Sequence, residues 1–123
     1  MERTRFEEIV EQTFERLPGR FKEVIENVGV MVEDYPTEEI AHKLHLRSRY
    51  DLLGLYQGVP LPQRGTWYGM TPVVPDKISL YQKNIEAQCE TDAQIIDKIY
   101  EVLIHEIGHY FGMSEEEIRA AGY

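Results

Sequence analysis

Apolar residues at Phe6, Ile9, Val10, Phe14 and Leu17 recur at intervals of three and four, with charged residues filling the turns between them. That period predicts an amphipathic helix over ERTRFEEIVEQTFERL, and Pro18-Gly19 ends it. A short helical stretch around residues 21–25 then leads into VGVMVED, where Val28, Val30 and Val32 alternate as a half-buried strand requires. Pro36 breaks that strand. Thr37 is placed to cap a second helix, TEEIAHKLHL, ahead of a further strand at residues 52–57.

Residues 58–75, GVPLPQRGTWYGMTPVVP, are dense in Gly and Pro and hold the only tryptophan, so a long irregular connection is expected. Long loops in small domains commonly carry function. KISLYQ follows as a strand with Ile78 and Leu80 on one face. The last long helix opens at Thr91, which Gln94 completes as a capping box, and runs through Ile95, Ile99, Leu103, Ile107 and Tyr110. This helix carries His105, Glu106 and His109.

Composition narrows the setting. With 123 residues, 42% hydrophobic and 28% charged, residues 1–123 are expected to form one soluble globular domain. The formal charge of −9 repels phosphate backbones and anionic membranes, so neither a nucleic acid nor a membrane is expected as partner; the basic stretch at 43–49 is short. Cys89 is the single cysteine and excludes an internal disulfide. No apolar leader is visible at the N-terminus and no apolar run approaches the ~20 residues of a membrane span. A cytoplasmic monomer is the expectation.

The chemistry sits in HEIGHYFGMSEEE, residues 105–117. His105 and His109 are one helical turn apart on the same face, so both imidazoles can reach one ion at about 2.0–2.1 Å. Glu106, turned about 100° around the axis, can touch a water on that ion without ligating it and take the water's proton. H-E-x-x-H alone would arise by chance in about 2% of chains of this composition, and requiring Gly112 and an acid at 115 lowers that roughly seventy-five-fold. Gly112 lets the helix stop and fold back, which brings Glu115 toward the metal. Two histidines and one carboxylate with an open fourth position form a catalytic zinc arrangement.

Glu115 also has a plainer reading. Ser114 and Glu117 form an S-x-x-E capping box, so Glu115 and Glu116 can simply be first-turn acids, and Glu116 can substitute as ligand. His42 and His45 lack a third ligand nearby and read as solvated or hydrogen-bonded histidines. Cys89 reads as a small packed residue. Arg64, Trp67 and Tyr68, in the long connection, are candidates to stabilise an oxyanion opposite the zinc, with loop packing as the plainer role.

The segment from His105 to Glu115 resembles the extended motif of metzincin-type metallopeptidases. With LLGLYQGVPLPQRG, PDKISLYQKNIEAQC and VLIHEIGHYFGMSEEEI, most of residues 50–118 resembles the minimal-zincin family of small bacterial proteins, described as candidate zinc metallopeptidases. The resemblance implies an α+β fold in which a small mixed sheet and a few helices support the metal-bearing helix. It further implies that His105, His109 and Glu115 hold Zn2+ while Glu106 acts as general base on a peptide or protein substrate. The family usually carries Asp where this chain has Glu115, and the methionine turn of larger metzincins has no counterpart in the eight residues after it. A shallow site is therefore expected, with either the 52–57 or the 77–82 strand receiving an extended peptide. Two other readings stand beside peptide hydrolysis. One is a zincin-scaffold metal-binding or regulatory module with little turnover; the other is a zinc-dependent ribonuclease, against which Glu106 and the negative charge both argue.

Overall fold

The computed structural model describes residues 1–58 and 76–123. The first helix, α1, spans Arg3–Phe14 and buries Phe6, Ile9, Val10 and Thr13. Thr13 joins the apolar face because its hydroxyl donates to the Ile9 carbonyl at 2.7 Å, while Phe14 is only partly buried. α2 follows at Gly19–Asn27, burying Phe21 and Val24, and β1 runs over Gly29–Glu33.

α3, Glu38–Lys43, is shorter than its sequence pattern. Thr37 caps its start by accepting from the Ile40 amide at 3.1 Å. His45 ends it in a left-handed conformation, φ 55°, with the His45 amide donating to the His42 carbonyl and the Leu46 amide to that of Ala41. These two bonds form the helix-terminating turn usually built on glycine. His45 thus has a structural task.

β2, Gly54–Gln57, begins two residues later than the 52–57 stretch. The buried Asn84 amide donates to the Arg49 and Leu52 carbonyls at 2.8 and 2.7 Å, clamping the approach to the strand. β3, Lys77–Tyr81, lies at the centre of the sheet, which among the described residues has three strands in the order β1-β3-β2, and it runs parallel to β1 and antiparallel to β2. β3 passes directly into α4, Gln82–Ala87, which the apolar period does not signal because two of its three buried residues, Gln82 and Asn84, are polar.

α5, Asp92–Tyr110, is the central element and packs on α1, α2, α4, β2, β3 and the last helix, α6, Glu115–Ala120. Its buried face carries Ile95, Ile99, Val102, Leu103, Ile104 and Ile107, each side chain worth about 1.5–3 kcal/mol when removed from water. A small mixed sheet with helices around a buried helix is an α+β fold. Among the described residues no helix is long and apolar enough to cross a membrane.

Candidate metal centre

The geometry of the site follows from how α5 starts and stops. Thr91 accepts from the Gln94 amide at 3.2 Å, as a capping residue should, but the Gln94 side chain reaches the Glu90 amide rather than that of Thr91. From there the helix runs without interruption to His105 and His109. At its far end the Gly112 amide donates to the His109 carbonyl at 2.9 Å and the Met113 amide to that of Gly108 at 3.0 Å. Gly112, at φ 77°, supplies the left-handed residue this turn demands.

The chain emerges from the turn into a second cap. Ser114 accepts from the Glu117 amide at 3.1 Å and the Glu117 carboxylate accepts from the Ser114 amide at 3.2 Å. Since Ser114 and Glu117 complete the box themselves, the Glu115 carboxylate is left to reach back over α5. Its Oε2 lies 2.6 Å from His105 Nδ1 and its Oε1 lies 3.0 Å from His109 Nε2. One carboxylate spans both imidazoles. Glu115 is therefore both a first-turn acid and the partner of the histidines, and Glu116 remains exposed.

Glu106 faces a different neighbour. It is buried, and its Oε1 accepts the backbone N–H of Tyr56, on β2, at 2.8 Å. The same oxygen stands 3.4 Å from His109 Nδ1. β2 comes this close because residue 54 is glycine: a Cβ there would stand 2.6 Å from Val102 Cγ1, 3.2 Å from the Ser79 carbonyl and 3.4 Å from Glu106 Cγ. The Tyr56 ring also meets Tyr110 edge-on, with centroids 5.9 Å apart, so β2 rests on α5 through main chain and side chain alike. Hydrogen bonding to Glu106 raises the pKa of His109 above its ordinary value of 6.5; burial opposes the shift, and the charges of Glu106 and Glu115 add to it.

A cleft of about 160 Å³ opens beside these residues, lined by Leu52, Gly54, Val102, His105, Glu106 and Glu115 among others. A larger groove of about 320 Å³ lies between α1, α2 and β1; beside Val10, Phe14, Ile25 and Met31 its lining carries the carboxylates of Glu7 and Glu11 but no histidine. Size alone does not locate the site.

The donor set has the composition of a catalytic zinc site, two imidazoles and a carboxylate. Among the described residues, however, no group of three or more His, Cys, Asp or Glu is disposed as a ready coordination shell. Two distances accord with this. Donors sharing a tetrahedral zinc stand roughly 3.3 Å apart, whereas Glu115 lies at 2.6 and 3.0 Å, hydrogen-bonded to the rings. The residues fit zinc in kind, with the carboxylate closed onto the imidazoles.

Cys89 packs against the core, consistent with a small apolar role. Arg64, Trp67 and Tyr68 lie outside the described residues. The apolar pattern did not reveal the Tyr56 amide, because any residue but proline carries one, and Gly54 gave no signal beyond being a glycine at a strand.

No curated protein matches the chain. A family model described as a zincin-like metallopeptidase matches residues 25–123, which include the strand, helix and turn that assemble this centre. The chain thus belongs to the zincin-like metallopeptidase family.

Proposed function

We propose that the protein is a zinc-dependent peptidase in which His105, His109 and Glu115 hold the metal and Glu106 is the general base. The observation that carries this reading is the Glu115 carboxylate, with one oxygen against each imidazole. Zinc, when bound, lowers the pKa of a water toward ~7 and polarises a carbonyl. Glu106 takes the proton from the attacking water and delivers it to the departing amine nitrogen. The Tyr56 amide fixes Oε1 of that carboxylate, so the proton is assigned to Oε2.

Sheet topology bears on where a peptide would lie. β3 is paired on both sides, which removes the 77–82 alternative as a receiving strand, whereas β2 is at the edge of the sheet among the described residues and borders the cleft. A cleft of about 160 Å³ suits a short or flexible peptide segment. The proposed substrate is a peptide or protein, acted on by a cytoplasmic monomer with no nucleic-acid or membrane partner; the charge of −9 supports the exclusion of nucleic acid.

Elemental mass spectrometry of zinc-supplied protein should find one zinc per chain, and far less than one would sink the metal assignment. Glu106→Gln should keep the zinc and lose hydrolysis of a peptide library by at least ~10²-fold. Equal activity in the two proteins would remove Glu106 as base. The small cleft also favours a second reading, a metal-binding or regulatory module with little turnover. A library left uncut by fully metallated protein that retains a stable partner would select it.

A further inference from the structure

Gly108 lies inside α5, within the turn that separates His105 from His109, where glycine is the poorest helix former after proline. Its backbone is helical, so conformational freedom does not explain it. Space does. A Cβ at this position would stand 2.5 Å from Ile118 Cδ1 and 2.7 Å from Ile118 Cγ1. Ile118 is fully buried and is the single buried residue of α6. Its side chain therefore occupies the gap that Gly108 leaves.

Apart from the contacts of Glu115 with His105 and His109, α6 has little else to hold it among the described residues. Glu115, Glu116, Glu117, Arg119 and Ala120 are exposed. Tyr123, beyond the helix, rests on Phe21 with ring centroids 5.3 Å apart but stays 43% exposed. The turn at Gly112 and the box at Ser114 set the direction in which the chain leaves α5. Neither presses α6 onto α5.

We infer that Ile118, seated over Gly108, is the anchor that holds α6 where Glu115 meets both imidazoles, so that this pair of positioning residues delivers the third donor to the metal. The inference rests on the proposed role of Glu115 as a zinc ligand. It adds that the ligand is carried on a short helix whose docking and metal capture are coupled: zinc favours the docked helix, and the docked helix favours zinc.

The test measures zinc affinity by competition with a chromophoric chelator, alongside the visible absorption of the cobalt-substituted protein, with Glu115→Gln as reference. Gly108→Ala and Ile118→Ala should each weaken zinc binding about 10–100-fold, the usual consequence of removing a group that orients a ligand. Both should shift the cobalt spectrum as Glu115→Gln does. Gly108→Ala/Ile118→Ala should lose no more than Ile118→Ala alone, because the new Cβ would stand 4.0 Å from the Cβ at 118, at ordinary contact. Tyr123→Ala should change affinity less than about threefold. Ile118→Val, which removes only the methyl reaching over Gly108, serves if the alanine variants melt too low, and should weaken binding in the same direction.

Folded Gly108→Ala and Ile118→Ala proteins with wild-type zinc affinity, beside a weakened Glu115→Gln, would overturn the anchor and leave the ligand assignment standing. An additive double variant, or a Tyr123→Ala as weak as Ile118→Ala, would overturn it as well. Unchanged affinity in Glu115→Gln would instead remove the ligand assignment and the inference with it.

Discussion

His109 is the most constrained side chain of the centre, with Glu106 at one ring nitrogen and Glu115 at the other. Its folded pKa is raised above 6.5, so the charged ring stabilises the metal-free fold. The sign follows. That stability is fully present below the unfolded pKa and is lost as pH rises through the raised folded value. The melting temperature of the metal-free protein should fall across that window, and His109→Asn should flatten the dependence in a pH series of thermal melts. Zinc requires the neutral ring, so its affinity should climb over the same window, as titrations at several pH values would record.

Between neighbouring elements, contacts are set by what is missing as much as by what is present. Gly54→Ala would force a methyl into Val102, an overpacking cost of about 1–3 kcal/mol, and lift the Tyr56 amide from Glu106. Denaturant melts should show the destabilisation, and hydrolysis should fall while zinc stoichiometry holds. Ser114→Ala should cost about 1 kcal/mol through the lost cap of α6. Local signals of this second kind were legible in the sequence. The period of α5, the left-handed turn at Gly112 and the box at Ser114 are all written within a few residues of where they act. The full set of side chains resembling a zincin motif was legible for the same reason. The seat of Ile118 over Gly108 was not, since a glycine inside a helix signals space without naming what fills it. α4 went unseen because Gln82 and Asn84 are buried by their hydrogen bonds and not by apolarity. The 77–82 strand could not be told from an edge strand, because pairing partners are a property of the sheet.

Across the whole molecule, the proposed zinc and the fold would be linked. A ligand that binds only the native state stabilises it by about 2.7 kcal/mol at a hundredfold excess over its Kd. Zinc should raise the melting temperature in a concentration-dependent way, and a chelator should reverse the rise. The Tyr56 amide that steadies Glu106 comes from fifty residues away in the chain, whereas the Glu115 carboxylate lies only ten residues from His105. The two halves of the centre therefore close loops of very different length. Glu115 meets His105 across a short loop, whereas Glu106 has its backbone partner only when β2 is docked on α5. Loosening of the sheet would therefore free Glu106 from the Tyr56 amide while leaving the short-range contact of Glu115 with His105 within reach.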